Sequence, residues 1–266
     1  MDQRLLVLLT ERLTECGEPF YTKLICPPSH EQMAALREGD GNPEAEMRQI
    51  NSSAGLAVTF WRAYELSHLS STVEFERKMQ VPLEHSRLAN IDVVVREKSS
   101  VTFIESKFLE PYYSENETPR YAYFDTSRYF PLTENFPQLC VELFKKASEF
   151  KYYNTTQLCR HLLAIVNEMY EHPESYGQKN VRLWSLTWEM PDDFTNIFID
   201  EIQSVFAARK EAIREEAHRC DILLNEFISN HFSSLNLKFE AVRYNDIIGQ
   251  IEKSPFYSKI KERYYL

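Results

Sequence analysis

A change in hydrophobic period early in the chain constrains its fold more than any other feature. Residues 51–69 place Leu56, Phe60 and Tyr64 at helical spacing, behind an Asn-Ser-Ser run that offers N-caps. Further along, apolar and polar side chains alternate or form short β-branched runs, which is typical of strands that are at least half buried. The pattern predicts one helix followed by three strands. The predicted strands span residues 73–81, 91–96 and 101–108.

The rest of the chain is mostly helical in its periodicity, with two more strands. We predict helices at 2–15, 29–37, 137–150, 155–170 and 194–231 (with one break) and from Asn245, strands at 181–189 and 238–243, a polar loop at 39–46 and a Tyr/Phe/Pro-rich connection at 109–136. The middle of the chain therefore follows the order helix, three strands, helix, strand, with helices on either side. This order is typical of an α/β or α+β fold, and the length fits a single domain.

Composition excludes several familiar kinds of site. The chain has 266 residues, a net charge of −10 and only six glycines, and it contains no Gly-rich dinucleotide motif, no P-loop and no G-x-S-x-G elbow. The acidity argues against a broad surface that coats nucleic acid, but it leaves room for a local patch. Five cysteines without a C-x-x-C pair, with no membrane-length apolar run and no leader pattern, favour a cytoplasmic protein.

The residues that carry chemistry lie in the hairpin formed by the second and third predicted strands. Asp92 lies near the start of one strand, while Glu105 and Lys107 are two apart on the next and project to one face. Two other acid-x-Lys triplets occur, at 76–78 and 149–151, but neither combines an apolar strand with an acid on the strand before it. Two carboxylates and an ammonium at this spacing suit a Mg²⁺ ion beside a phosphodiester. The alternative is a surface ion-pair ladder, which stabilises a hairpin modestly.

At this point the chain resembles a known superfamily. Ile91-Asp92 and Ile104-Glu105-Ser106-Lys107, within this order of elements, resemble the PD-(D/E)XK nucleases. The resemblance covers about residues 51–190 and implies the restriction-endonuclease-like fold, an αβββαβ core with a central mixed four-stranded sheet flanked by helices. Residues 1–50 and 191–266 would then be helical additions. One departure is Ile91, which stands where many members have proline.

The resemblance also implies roles for individual residues. Asp92, Glu105 and the backbone carbonyl of Ser106 would be ligands of Mg²⁺, with Mn²⁺ as a substitute. Asp92, Glu105 and Lys107 would be the catalytic residues, with Lys107 as the catalytic lysine. The candidates for an additional acidic ligand are Glu65, on the first core helix, and Glu76, on the neighbouring strand.

Two further segments are similar to a bacterial branch of candidate restriction endonucleases. These are Asn51-Ser52-Ser53, which leads the first core helix, and the pair Gln157 and His161 on the helix after the hairpin. Residues four apart share a helix face, so Gln157 and His161 are expected to point at the hairpin and to support lysine, metal or phosphate. The alternative is a plain helix face with one amide and one partly buried histidine.

Together these expectations describe a Mg²⁺-dependent endonuclease that hydrolyses phosphodiester bonds in DNA, for restriction, defence or DNA processing. The expected partner is nucleic acid, in particular double-stranded DNA, and double-strand cutting by one site per chain would favour a homodimer. One alternative is an inactive module on the same fold that binds nucleic acid or protein. Another is a helical interaction protein, which predicts that the strands share no central sheet.

Three other motifs have simpler interpretations. The mixed-charge run 209–216 indicates a solvated helix face, and His218-Arg219-Cys220-Asp221 indicates adjacent helix positions rather than a metal site. The tyrosines and arginines of the 109–136 connection could stack bases and hold phosphates. A loop folded over the core explains them equally well.

Overall fold

The computed structural model describes residues 3–14, 23–38, 43–85 and 87–266. Its α-helices are α1 (Gln3–Thr14), α2 (His30–Arg37), α3 (Pro43–Met47), α4 (Ser53–Ser67), α5 (Glu110–Tyr113), α6 (Phe136–Ala147), α7 (Thr155–Glu171), α8 (Pro173–Tyr176), α9 (Asp200–His231), α10 (Tyr244–Ile247) and α11 (Tyr257–Tyr264). Short 3₁₀ turns occupy Tyr121–Phe124, Thr126–Arg128 and Ile248–Ile251. The strands are β1 (Thr72–Met79), β2 (Ala89–Arg96), β3 (Ser100–Lys107), β4 (Asn180–Thr187) and β5 (Leu237–Arg243).

The five strands form one mixed sheet in the order β1-β2-β3-β4-β5. The pairs β1–β2 and β2–β3 are antiparallel, whereas the pairs β3–β4 and β4–β5 are parallel. The predicted four-stranded sheet is not confirmed, because the sheet has a fifth strand, β5, which pairs with residues 181–187 of β4. Parallel neighbours need a long crossover, and α9 supplies it between β4 and β5. A shared central sheet also excludes the alternative of a helical interaction protein.

Helices cover both faces of the sheet. The contacts of Glu105 and Ser106, which are adjacent in β3, show which helix lies on each face. Adjacent residues in a strand point to opposite faces. Glu105 contacts His161 of α7 on one face. On the other face the Ser106 hydroxyl lies 2.7 Å from the hydroxyl of Tyr244, whose ring packs edge-on against Phe60 of α4 with centroids 5.2 Å apart. The sheet is thus sandwiched between α7 and α4.

Helix starts follow the signals in the sequence. Ser29 Oγ accepts a hydrogen bond from the Gln32 N–H, and the Gln32 side chain accepts one from the Ser29 N–H, so the predicted capping box forms. Ser52 caps α4 through the Gly55 N–H at 3.1 Å. A Cβ on Gly55 would come within 2.5 Å of the Met47 carbonyl oxygen, so this glycine permits the close approach of α3 to α4.

Several local predictions need correction. The helices predicted at 137–150 and 155–170 correspond to α6 and α7, but the short helices α5 and α8 also lie between β3 and β4, so the simple αβββαβ order, with one helix there, is not reproduced. α9 is continuous over 32 residues, without the expected break, and it begins at Asp200. Residues 43–46 of the predicted polar loop belong to α3, and residues 39–42 lie outside the described part of the chain.

Buried apolar side chains form a cluster that extends from Leu9 of α1 to Ile260 of α11. The sheet core, the N-terminal helix and the C-terminal helix therefore share packed surface. Among the described residues, no helix is both long enough and apolar enough to cross a membrane.

Candidate active site

The ladder between β2 and β3 ends where the predicted acidic residues begin. Val93 pairs with Ile104, and the next residues in this register are Asp92 and Glu105. The Asp92 carboxylate is drawn toward β3, because its Oδ2 accepts a hydrogen bond of 2.7 Å from the Ser106 N–H. The hairpin thus brings the two carboxylates next to each other at the end of the paired segment, as the sequence predicts.

Glu105 is fully buried and has two charged or polar neighbours. Its Oε1 lies 2.7 Å from Lys107 Nζ, and its Oε2 lies 3.3 Å from His161 Nδ1. Neither oxygen makes a hydrogen bond of normal geometry within the described residues. Burial of a carboxylate without full hydrogen bonding is costly, so this arrangement needs a reason beyond packing.

The pKa shifts follow from this crowding of charges. Burial raises the pKa of Asp92, and repulsion by Glu105 adds to the rise. Burial also raises the pKa of Glu105, although Lys107 offsets part of that effect. Burial alone would lower the pKa of Lys107, but the carboxylates of Glu105, Glu110 and Asp92 outweigh it and raise the pKa. Lys107 is therefore a firmly protonated ammonium among acids.

His161 is neutral in this environment. Burial, helped by the positive charges of Arg160 and Lys107, lowers its pKa from 6.5 to about 3. The contact with Glu105 is consequently one between a neutral imidazole and a carboxyl group, not an ion pair. His161 can hold the orientation of Glu105 without neutralising it.

A cavity of about 500 Å³ opens onto this group from the α4 side. Asp92, Ser106 and Lys107 line it, together with the first turns of α4 and residues near the end of α3. Glu76 also lines it, at the position of β1 between the Phe75 and Arg77 pairs with β2, where its register partner is Asp92. Its φ of 55° lies in the left-handed region although it belongs to β1, and this marks local backbone strain at the cavity.

Comparison with known protein families decides the affiliation of the chain. Residues 24–265 match the family model described as "Restriction Endonuclease associating with ARP". The chain belongs to this restriction endonuclease family. No curated protein and no solved structure matches it significantly.

Membership of the restriction endonuclease family supports the coarser part of the expected resemblance. It suggests a nuclease-type or defence function and implies a nucleic acid substrate. The match extends on both sides of the predicted nuclease-like core at 51–190. Membership of the PD-(D/E)XK superfamily, and the division into core and additions, stay predictions.

Among the chain's acidic residues, the sequence reasoning missed Glu110. Its two carboxylate oxygens accept the Ser53 hydroxyl at 2.5 and 2.6 Å, and one also accepts the Phe108 N–H at 3.0 Å. Glu110 also lines the cavity and raises the pKa of Lys107. Ser53 and Glu110 lie 57 residues apart, so no local pattern could join them. Ser53, which belongs to the Asn51-Ser52-Ser53 segment of the resemblance, therefore holds Glu110 beside Lys107.

The other predicted residues divide between the site and its surroundings. The carboxylate of Glu65 contacts Arg62, Gln32 and the Val73 N–H, and it does not line the cavity. Glu76 does line it, which favours Glu76 over Glu65 as the additional acid. Gln157 lies one turn from His161 but faces a second pocket rather than Glu105.

The remaining motifs are mostly structural. In the long connection Tyr112, Tyr123 and Tyr129 are buried, whereas Tyr121 is 86% exposed and Phe130 49% exposed. The connection therefore folds largely over the core. The prediction that residues 209–216 form a solvated face is wrong for Glu216, which is 8% exposed and accepts three backbone N–H groups of residues 151–153.

The donor set at the hairpin fits a magnesium ion. Among the described residues, no group of three or more His, Cys, Asp or Glu side chains is placed to hold a metal together. Mg²⁺ commonly takes only one or two protein carboxylates and keeps several waters. Asp92 and Glu105 supply two adjacent oxygen donors, and the oxygens of Glu105 lack hydrogen bonds of normal geometry within the described chain. Burial is the main cause of the raised pKa of Asp92, and a divalent cation would relieve the repulsion by Glu105 that adds to it.

Proposed function

We propose that the protein is a metal-dependent nuclease of the PD-(D/E)XK type that hydrolyses phosphodiester bonds in DNA. The observation that carries this proposal is the juxtaposition of Asp92, Glu105 and Lys107 beside a cavity of about 500 Å³. Membership of a restriction endonuclease family supports the same class of chemistry. The biological role would be restriction, defence or DNA processing.

The residues that would hold Mg²⁺, or Mn²⁺ as a substitute, are Asp92, Glu105 and the Ser106 carbonyl, with Glu76 as the additional acid. Such an ion, when bound, polarises the phosphate and lowers the pKa of a bound water. The chain's acidic surface repels DNA at long range. Contact with the substrate would therefore be local and would depend on neutralisation of these carboxylates.

Lys107 would act on the phosphate directly. Its ammonium remains protonated because three carboxylates surround it, so it can donate hydrogen bonds to the attacking water or to phosphate oxygens. A fixed positive charge in a cavity sheltered from solvent stabilises the negative charge that develops on phosphorus-bound oxygens. Neutral His161 would keep Glu105 in the rotamer that faces Lys107.

The proposed substrate and oligomeric state follow from metal-dependent cleavage of phosphodiester bonds. Double-stranded DNA is the substrate we favour, and a homodimer would place one site on each strand. The chain would act as one domain, with a nuclease-like core at about 51–190.

A cleavage assay tests the proposal. Supercoiled, linear and single-stranded DNA are incubated with Mg²⁺ or Mn²⁺, with and without EDTA, using wild type, Lys107→Ala and Lys78→Ala. Lys78 belongs to another acid-x-Lys triplet, and its Nζ donates to the Glu38 carbonyl, away from the cavity. We expect cleavage by wild type and Lys78→Ala, abolished by EDTA, and none by Lys107→Ala. Equal rates for all three proteins, or activity that survives EDTA, would contradict the proposal.

The second candidate is an inactive binding module on the same fold. One observation favours it: Lys107 Nζ already neutralises Glu105 at 2.7 Å, so the site has an internal cation. Calorimetric titration with Mn²⁺ separates the two candidates. Heat that disappears in the Asp92→Asn and Glu105→Gln variants supports the nuclease, and its absence from wild type supports the module.

A further inference from the structure

A second pocket adjoins the candidate active site on the side away from the α4 cavity. It has a volume of about 180 Å³ and shares Lys107 and Glu110 with that cavity. We call it the tyrosine pocket, after the two tyrosines that line it. Its principal lining residues are Tyr152, Tyr153, Asn154, Gln157, Ser185 and Thr187.

The walls of the tyrosine pocket are held from outside by α9. Glu216 accepts the backbone N–H groups of residues 151–153 at 2.8–3.0 Å, which fixes the loop before α7. The guanidinium of Arg209 lies 3.8 Å from the ring centroid of Tyr152 and donates to the Ser114 carbonyl at 3.0 Å. Ser114 and Tyr152 belong to different walls, so Arg209 ties them together. A pocket whose walls are fixed in advance loses little entropy on binding.

The pocket presents hydrogen-bonding groups that the protein does not use. The side-chain amide of Asn154 donates to Gln157 Oε1, which leaves the Asn154 carbonyl as an acceptor and the Gln157 amide as a donor. Tyr153 is buried, and its hydroxyl makes no hydrogen bond of normal geometry within the described residues, although the Ser185 hydroxyl lies beside it. An adjacent donor and acceptor match the edge of a heterocyclic base.

The charge of the rim argues against an anion in this pocket. Glu110, Glu115 and Glu117 line it against the single cation that the described lining contains, Lys107. Carboxylates repel phosphate, but they accept hydrogen bonds from exocyclic amino groups such as that of cytosine. The favoured occupant is therefore neutral and rich in N–H donors.

Size narrows the occupant further. Pockets for drug-sized ligands usually measure about 300–1,000 Å³, so a volume of about 180 Å³ suits a single planar ring system. Both tyrosine rings are already engaged, because Arg209 lies over Tyr152 and Tyr153 is buried, so a base would be held by the hydrogen bonds at its edge. We propose that the tyrosine pocket receives one amino-bearing nucleobase next to the phosphate held at Lys107. This inference rests on the proposed nuclease function for its substrate class.

Free nucleosides test the pocket without any phosphodiester chemistry. Deoxyadenosine, deoxycytidine, deoxyguanosine and thymidine are titrated in EDTA and followed by saturation-transfer NMR, with adenosine added to compare ribose with deoxyribose. The variants are Gln157→Leu, which removes the donor, and Asn154→Ala, which removes the acceptor. Gln49→Leu is the matched control, because Gln49 lines the other cavity. Thermal unfolding midpoints confirm that each variant folds.

We expect amino-bearing nucleosides to bind at least about fivefold more tightly than thymidine, and Gln157→Leu or Asn154→Ala to weaken them about tenfold. Gln49→Leu should leave binding unchanged. Absence of binding to wild type, equal binding of thymidine, or loss of binding only in Gln49→Leu would overturn the inference. The two proposals fail separately. Nucleoside binding in EDTA does not depend on whether the protein cuts DNA. A protein that cuts DNA but binds no nucleoside would contradict the proposal for the tyrosine pocket and leave the proposed nuclease function intact.

Discussion

Among the described residues two glutamates are buried, and their surroundings differ. Glu216 is 8% exposed, and its oxygens accept three backbone N–H groups, at 3.0, 2.8 and 2.8 Å. Glu105 has no exposed surface, yet it makes no hydrogen bond of normal geometry within the described chain and shares its site with Asp92. The carboxylate of Glu216 has its hydrogen bonds within the protein, so it stabilises the folded state. That of Glu105 retains its capacity to bind something else, which is typical of functional sites.

The largest expected effect separates activity from stability at Glu105. We expect Glu105→Gln to lower metal-dependent cleavage by at least about 10³-fold, because it removes a proposed metal ligand and the charge facing Lys107. The thermal midpoint in EDTA should change little, because loss of the ion pair with Lys107 is offset by relief of the repulsion between Glu105 and Asp92, and because Asp92 and Glu110 remain beside the lysine. Cleavage rates and thermal melts measure the two effects.

Glu149→Gln is the matched control for this substitution, because Glu149 belongs to an acid-x-Lys triplet but is 68% exposed at its side chain. It should cleave at the wild-type rate. Full activity of the Glu105→Gln protein would contradict a functional role for Glu105 and leave no functional difference between it and Glu216.

Glu216 should show the reverse behaviour. Glu216→Ala leaves three N–H groups before α7 without their acceptor, so we expect the free energy of unfolding to fall by about 3 kcal/mol. Glu215→Ala, at an exposed neighbouring position, should change it by less than about 0.5 kcal/mol. Urea denaturation compares the two variants. Equal losses would show that the loop at 151–153 does not depend on this carboxylate.

Asp92 tests whether the crowded carboxylates cost stability. We expect Asp92→Asn in EDTA to be more stable than wild type by about 1–3 kcal/mol, because it removes the half-buried charge that lies next to the fully buried Glu105. Mn²⁺ should raise the unfolding midpoint of wild type, since a ligand of the native state stabilises it, and should not raise that of Asp92→Asn. Asp192→Asn is the control, because that side chain is 97% exposed. An equal Mn²⁺ shift in all three proteins would place the metal elsewhere.

The hairpin can be predicted from sequence because its signals are local. Alternation and β-branched runs locate the strands to within about two residues, and the predicted pairing of β2 with β3 is confirmed. This pairing brings Asp92 next to Glu105, so the acidic pair can be recognised from strand positions alone. The roles assigned to both residues stay predictions.

Other features depend on contacts between distant segments, which a single sequence does not reveal. The strand at 237–243 is recognisable from its alternation, but its parallel pairing with β4 depends on a long crossover that local periodicity cannot resolve. The role of Glu110 cannot be predicted from local sequence, because its hydrogen-bond partner Ser53 lies 57 residues away along the chain. Glu216 is misassigned because its burial comes from the loop at 151–153, not from the charge pattern of α9.

A third carboxylate, Glu189, lies between two arginines, so its surroundings differ from those of both Glu216 and Glu105. Arg214 binds both of its oxygens at 3.0 and 2.8 Å, and Arg243 donates to it at 3.1 Å. The two hydrogen bonds from Arg214, followed by the one from Arg243, lower the pKa of Glu189 from its ordinary 4.5 to about 2. Here the cations outnumber the acid, whereas at Asp92 and Glu105 the acids outnumber the cation.

The smallest prediction follows from the sign of this shift. A carboxylate whose pKa is lower in the folded state stabilises the protein above its unfolded pKa and loses that contribution as the pH falls through the folded value. We expect Glu189→Gln to be less stable than wild type by about 1 kcal/mol at pH 7, a modest value because both arginines are partly exposed. The difference should shrink between pH 4.5 and about pH 2. Denaturation at about pH 7, 5 and 3 measures it, and a difference that does not change with pH would show that Glu189 acts through packing rather than charge.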